Sequence, residues 1–241
     1  MRTWLKRILI ALAALIVLVI VGFYAWTRMA SYPAFPEAAA LAEWAENDRG
    51  WYVFEPDGDM QAGFIFYPGG LVDAAAYAPL MQQLSDRGVL AVIVPMPLEL
   101  AVFGINRADD VIATYPEVDT WVIGGHSLGG AMAAEYVKDG PGPIDGVVFL
   151  GSYPAESTDL SELSISVVSV YGTEDGVTGD VFEASLSRLP DGTSLEVIDG
   201  GNHAQFGDYG PQKGDGVATT SRDAQQSQTV TAIIRLVGTL E

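Results

Sequence analysis

The chain has 241 residues, no cysteine, and 31 Asp and Glu against 12 Lys and Arg, which gives a net charge of −19. This length is enough for one sizeable domain with a buried core. The acidity argues against nucleic acid and anionic membrane surfaces as partners, and the absence of cysteine excludes disulfides.

The N-terminus contains an apolar run. Residues 8–26 include no charged side chain over 19 positions, which is long enough for a helix to span a bilayer. We therefore predict a membrane anchor over residues 1–30. The alternative is a cleaved signal peptide, although the apolar core of such peptides is usually about 7–15 residues; the cut would then follow Ala30.

The charges around this run predict its orientation. Arg2, Lys6 and Arg7 precede it, and only Arg28 lies close behind it. Positive residues stay on the cytoplasmic side, so residues 31–241 should face outside, carrying 31 acidic and eight basic residues. The expected location is the cell membrane, with a single span, or the exterior if the segment is cleaved.

Apolar and helix-forming segments then alternate along the chain. Residues 31–50 are rich in Pro and Ala and are interpreted as a linker with one short helix, before a domain over residues 51–241. Strands are predicted at 51–55, 62–67, 89–95, 119–124, 145–151, 166–171 and 194–198. Helices are predicted at 74–86, 105–115, 128–139, 179–188 and 223–239. This alternation predicts an α/β fold with a mostly parallel, doubly wound sheet flanked by helices.

A G-x-S-x-G motif, Gly-His-Ser-Leu-Gly at 125–129, follows the 119–124 strand and precedes a helix. In this context the glycines allow a tight turn that exposes Ser127 as a nucleophile. The backbone N–H of Leu128 would then bind the oxyanion of the transition state. A loop that merely contains Gly and Ser is the simpler alternative.

A serine nucleophile needs a base and an orienting acid. The chain has two histidines, and His126 lies inside the turn, so His203 in the loop after the last strand is the candidate base. The acid should fall between Ser127 and His203, where "YGTEDG" offers Glu174 and Asp175. A structural histidine and an acidic turn are the alternatives.

Other loops bear on the pocket. Gly70, after the 62–67 strand, is the candidate for a second oxyanion donor, unless Pro68 and Gly69 simply form a turn. Residues 95–104 either line an acyl site or pack in the core. Asp208 and Asp215 lie in the long loop 204–221, but they lack calcium-loop spacing, so neither a metal nor a cofactor is expected.

Several motifs together resemble the α/β-hydrolase superfamily. "FYPGGLVDAAAYAPL", "GHSLGGAMA", "YGTED" and "GNHAQFGDYGPQKGDG" are similar to its dienelactone-hydrolase-like branch, in the α/β-hydrolase fold-5 domain group, over roughly residues 50–240. The resemblance implies Ser127 as nucleophile, Asp175 as acid, His203 as base, and Gly70 with Leu128 as oxyanion hole. Many relatives carry His-Gly where this chain has Pro68-Gly69.

The resemblance also bears on the substrate. Relatives with a lid usually insert it between the strands predicted at 145–151 and 166–171, where only 14 residues intervene here, so the site should be open. We therefore predict a serine hydrolase that cleaves a small carboxylic ester or a related acyl bond. A catalytically silent binding domain and a thioesterase, amidase or acyltransferase remain alternatives.

Overall fold

In the computed structural model, which describes residues 2–139, 142–179 and 181–240, seven strands form one sheet. The strands are β1 (Tyr52–Phe54), β2 (Ala62–Tyr67), β3 (Val89–Ile93), β4 (Trp121–His126), β5 (Ile144–Leu150), β6 (Ser166–Gly172) and β7 (Ser194–Ile198). All seven predicted strands are present. β4 extends two residues beyond its predicted end and therefore runs directly into Ser127.

The strand order is β1-β3-β2-β4-β5-β6-β7. β1 is antiparallel to β3, and every other neighbouring pair is parallel. The prediction of a mostly parallel α/β sheet is therefore confirmed. β2, β3 and β4 are buried along their whole length, as expected for apolar strands covered on both faces.

Seven α-helices occur among the described residues. They are α1 (Arg2–Ala30), α2 (Pro36–Ala45), α3 (Ala78–Ser85), α4 (Ala108–Thr114), α5 (Leu128–Val137), α6 (Val181–Ser185) and α7 (Arg222–Val237). Short 3-10 helices precede α3 and α4 and follow α6, so the predicted helices at these places are shorter as α-helices. Asp180, within the helix predicted at 179–188, lies outside the described residues.

Alternate side chains along the strands point to opposite faces of the sheet and form two hydrophobic cores. Phe64 and Phe66 of β2 lie in the core that includes residues of α3 and α7. Ile65 and Tyr67 point to the opposite face, where they join residues of α4 and α5. The alternation follows from the two-residue period of a strand, and it places α5 directly over the strands that lead to Ser127.

The chain divides into two compact units between Ser31 and Tyr32. The first is α1, in which Thr3–Ala30 contains an 18-residue stretch with a mean hydropathy of 3.0 and is long and apolar enough to cross a membrane, as a signal sequence also can be. In the second unit, α2 contacts α3 and buries Ala38 and Ala42. Residues 32–50, expected as a linker, thus pack against the sheet domain.

The fold brings separate loops to one edge of the sheet. Ser127 follows β4 directly, Gly151 follows β5, Asp175 lies three residues after β6, and His203 follows β7. Parallel strands end at the same edge, which is where open α/β sheets bind their ligands.

Candidate active site

Ser127 occupies a strained turn between β4 and α5. Its backbone angles are φ 51° and ψ −121°, a conformation that non-glycine residues rarely adopt. Its N–H donates to the Leu150 carbonyl at 3.0 Å, and the Ser152 hydroxyl donates to its carbonyl at 2.6 Å. These bonds fix the backbone of Ser127 directly before the first residue of α5.

Gly129 allows this turn to form. A Cβ at this position would lie 2.0 Å from the backbone oxygen of Tyr67 and 2.5 Å from that of Pro68. Only a residue without a side chain lets the start of α5 approach the end of β2 so closely. The second glycine of the motif thus has a packing role that a flexible loop would not require.

His203 and Asp175 form a buried pair. His203 Nδ1 donates to Asp175 Oδ2 at 2.8 Å, and the two side chains are only 1% and 3% exposed. Asp175 Oδ1 also accepts from the N–H groups of Val177 and Thr178, at 2.9 and 2.8 Å. The Thr178 hydroxyl donates to Asp175 Oδ2 at 2.6 Å.

These contacts keep Asp175 ionised. Burial by itself would raise the pKa of this carboxyl, but the hydrogen bond and charge of His203 and the donors of Thr178 outweigh burial, so the pKa lies below its ordinary value. The neighbouring carboxylate, Glu174, is exposed. The structure therefore places Asp175, rather than Glu174, beside His203.

The absence of a side chain at Gly151 leaves room for His203 and Asp175. Its φ is +47°, and a Cβ there would lie 2.9 Å from Asp175 Oδ2 and 3.0 Å from His203 Nδ1. A side chain at the end of β5 would thus push against both members of the pair.

Asp215 accepts hydrogen bonds from the backbone of the loop that carries His203. Its carboxylate accepts from the N–H groups of His203 and Ala204, at 3.0 and 2.8 Å. Asp208, the other acid of this loop, accepts from the Gln226 side chain at 2.7 Å. Both carboxylates are thus engaged by protein donors, and no cluster of metal-ligating side chains occurs among the described residues.

Gly69 and Gly70 of the loop after β2 have different surroundings. The Gly69 N–H donates to the Tyr77 hydroxyl at 3.1 Å and is therefore engaged. Gly70 lies against Leu128, since a Cβ on Gly70 would be 2.9 Å from Leu128 Cδ2. Leu128 is the first residue of α5, where an N–H has no carbonyl one turn earlier in the helix.

His126 lies between the Tyr77 hydroxyl and the His203 ring. Because Tyr77 accepts from Gly69, its own O–H is free to donate to His126 Nδ1, 2.8 Å away. The His126 ring packs on the His203 ring with centroids 4.4 Å apart. Burial, and next the charge of His203, hold the pKa of His126 well below its ordinary value, so this ring is neutral.

A cavity of about 300 Å³ opens beside Ser127 and His203. Its remaining lining residues are Leu128, Ala131, Gly151, Ser152, Tyr153, Ala155, Val177 and Thr178. Residues 95–104 are not part of this wall. Met96 and Ala101 from that segment are buried in the core, whereas Val102 and Phe103 are exposed, so the segment packs in the core only in part.

Sequence reasoning missed most of the cavity wall. Ser152, Tyr153 and Ala155 follow β5 directly, so the rule that ligands bind beyond strand ends would have identified them. Thr178 and the Tyr77–His126 contact gave no comparable signal. Thr178, Tyr77 and His126 each contact residues that are distant in the chain, and the sequence gives no local pattern for such contacts.

Comparisons with known proteins agree with this fold. A family model described as "Alpha/beta hydrolase family" matches residues 63–227, and the chain belongs to this family. The resemblance seen in the sequence is thereby confirmed, and the family supports a hydrolase of the α/β fold. A search of curated protein sequences found no match.

Solved structures with the same fold are distant in sequence. MenH from S. aureus is 10% identical with a TM-score of 0.60, covering 79% of this chain and 98% of its own. Est1E from Butyrivibrio proteoclasticus is 11% identical with a TM-score of 0.60, covering 78% of this chain and 94% of its own. Est2, an esterase from Thermogutta terrifontis, is 15% identical with a TM-score of 0.53, covering 78% and 87%.

Proposed function

We propose that this protein is a serine hydrolase that cleaves carboxylic esters through an acyl-enzyme. The observation that supports this most strongly is the shared cavity, where Ser127 on its strained turn meets His203, whose far nitrogen is held by Asp175. Geometry of this kind, rather than sequence order, characterises a Ser-His-Asp triad.

Each member would have a defined role. Ser127 Oγ attacks the ester carbonyl carbon, and His203 Nε2 takes its proton. This nitrogen is buried and has no hydrogen-bond partner among the described residues, so it is available for the transfer. Asp175 stays ionised, fixes the tautomer of His203 and stabilises the imidazolium. Catalytic hydrogen bonds commonly tighten only in the substrate complex.

The tetrahedral intermediate needs two donors for its oxyanion. We assign these to the backbone N–H groups of Gly70 and Leu128, because Gly69 is engaged by Tyr77 and Leu128 begins a helix. Collapse of the intermediate breaks the ester bond, and His203 returns the proton to the leaving alcohol. Water, deprotonated by His203, then attacks the acyl carbonyl carbon, and the bond to Ser127 breaks as His203 returns the proton to Ser127 Oγ and the acid is released.

We further propose that α1 anchors the chain and that the hydrolase domain faces outside. The basic residues that precede the apolar run, Arg2, Lys6 and Arg7, support this orientation. An open site on an outward-facing domain would receive small ester substrates directly from the exterior.

The proposal is tested with a fluorophosphonate probe and p-nitrophenyl acetate on the full chain. Ser127→Ala should abolish labelling and reduce turnover by up to about 10⁶-fold, because triad members act as a unit. The matched control is Ser169→Ala, since Ser169 is a buried serine on β6 outside the cavity. It should be labelled and turn over like the native chain.

Two outcomes would contradict the proposal. Near-native turnover by the Ser127→Ala protein would exclude Ser127 as nucleophile. Absence of labelling and of hydrolysis in the native, folded chain would instead favour a silent binding domain on the same fold.

A further inference from the structure

The segment Tyr32–Phe35 follows α1 directly and pairs with the loop that carries Gly70. The Tyr32 N–H donates to the Leu71 carbonyl at 2.7 Å, and the Tyr32 carbonyl accepts from the Asp73 N–H at 3.0 Å. Together these bonds form a parallel bridge between Tyr32 and Val72. The residue next to Gly70 is therefore held on one side by this segment.

The same segment also pairs with the loop that follows His203. The Phe35 N–H donates to the Asp208 carbonyl at 2.7 Å, and Ala34 pairs antiparallel with Tyr209. The rings of Tyr32 and Tyr209 pack with centroids 5.8 Å apart. Tyr32 contributes a further contact, because its hydroxyl accepts from the Lys213 N–H at 3.2 Å.

Arg222 at the start of α7 secures the far end of the segment. Its guanidinium lies over the Phe35 ring, 4.8 Å from the centroid, and its Nη2 donates to the Tyr209 carbonyl at 3.0 Å. Tyr209 is buried, and its ring lies 6.4 Å from that of His126, which in turn packs on His203. Contacts therefore run from Tyr32 through Tyr209 and His126 to the base.

We propose that Tyr32–Phe35 is a positioning segment for catalysis, with Tyr32 as its principal positioning residue, so that the chain leaving the apolar helix is part of the active-site support. The inference rests on the proposed hydrolase function. An oxyanion donor acts only when it lies about 2.7–3.1 Å from the developing charge, so a small shift of the Gly70 loop lowers the rate.

The test compares three variants of the full chain. Tyr32→Ala leaves the backbone groups of the bridge but removes the ring that packs on Tyr209, whereas Tyr32→Phe keeps that ring and removes only the hydroxyl. Trp44→Ala is the matched control, because Trp44 lies on the neighbouring helix α2 but is 91% exposed. Initial rates with p-nitrophenyl acetate over a range of concentrations give kcat and KM for each.

Tyr32→Ala should lower kcat at least fivefold and change KM less than twofold, because an oxyanion contact is made only in the transition state. Tyr32→Phe should restore kcat to within twofold of native, and Trp44→Ala should match native. A native kcat in Tyr32→Ala would overturn the proposal. An equal loss in Trp44→Ala would also overturn it, because the effect would then be a general one.

Amide hydrogen exchange separates this inference from the proposed function. Tyr32→Ala should speed exchange of the amides of 69–73 relative to Trp44→Ala, whether or not the chain hydrolyses the ester. Unchanged exchange in that loop would overturn the positioning role. Loss of the proposed function alone would instead show as absent hydrolysis and labelling in the native chain.

Discussion

Asp175 and Glu174 are adjacent carboxylates with opposite surroundings. Asp175 is buried against His203 and accepts three further hydrogen bonds from Val177 and Thr178, whereas Glu174 is exposed. The turn after β6 directs the Asp175 side chain to His203 and leaves the Glu174 side chain exposed.

We therefore predict that Asp175→Asn lowers kcat by roughly 10⁴-fold, because an amide favours the wrong tautomer of His203. Glu174→Gln is the matched control and should change kcat by about twofold at most, as expected for an exposed substitution. The measurement is ester turnover by the full chain at pH 7.5. The reverse ranking would make Glu174 the acid.

His126 is a buried neutral base that the proposed chemistry does not use. Tyr77 donates to its Nδ1, and the rings of His203, Phe206 and Tyr209 surround it. Its pKa is lowered mainly by burial, so the unfolded chain binds a proton near pH 6.5 while the folded chain does not. The stability that this depressed pKa contributes is complete above the unfolded pKa and is lost as the pH falls below it.

We predict that His126→Asn, whose side chain cannot be protonated, changes the pH dependence of the free energy of unfolding. Protonation of His126 in the unfolded chain should lower the free energy of unfolding of the native protein by up to about 1.4 kcal/mol per pH unit below pH 6.5. The variant should lack this contribution to the pH dependence of stability. The measurement is denaturant unfolding of both proteins at pH 7 and pH 5. An equal loss in the two proteins would show that His126 is protonated in the folded chain.

The connection between β5 and β6 determines the size of the cavity. Residues 151–165 contain neither helix nor strand, and their first part supplies Ser152, Tyr153 and Ala155 to the wall. A long acyl chain would extend from this cavity of about 300 Å³ into water. It would then gain little of the ~0.8 kcal/mol that each buried CH₂ provides.

We predict that esters of about two to four acyl carbons have the highest kcat/KM, because a long chain gains so little burial. Micelle formation should give no jump in rate, because no lid must open. Ala155→Leu, which adds volume to the wall, should reduce kcat/KM for butyrate more than for acetate. A series of p-nitrophenyl esters provides the measurement. An optimum at long chains would mean that substrate binds along another surface.

Across the whole molecule, the apolar helix and the acidic domain have opposite preferences for solvent. The helix Thr3–Ala30 is exposed along the apolar run and contains an 18-residue stretch with a mean hydropathy of 3.0, whereas residues 31–241 carry 31 acidic and eight basic residues. The apolar helix is suited to the membrane interior, which has about 30 Å of hydrocarbon, and the acidic domain is suited to water.

We predict that the full chain stays with membranes after carbonate extraction and that protease added to intact cells digests the hydrolase domain, because positive residues keep the N-terminus inside. A chain beginning at Ser31 should partition into the soluble fraction and serves as the control. A mature N-terminus at Ser31 in cells would instead show that the segment is a cleaved signal peptide.

The sequence by itself determined the order of elements and the loops that contain the candidate site residues. Apolar runs such as 62–67 and the Gly-x-Ser-x-Gly turn are local signals, because the strand period and the glycine requirement act within a few residues. These signals were enough to predict seven strands, a mostly parallel sheet and Ser127 on the turn before α5. The end of β4 differs because Gly124–His126 pair with β5 although glycine is poor in strands.

Only the tertiary structure decided what surrounds Ser127. The pairing of His203 with Asp175, the wall formed by Tyr153 and Ala155, and the bridge from Tyr32 to the Gly70 loop all join residues far apart in the chain. Such contacts leave no periodic pattern, since they depend on how strand ends and loops meet once the core has packed. The Pro- and Ala-rich composition of residues 32–50 is typical of a linker, yet these residues form part of the folded domain.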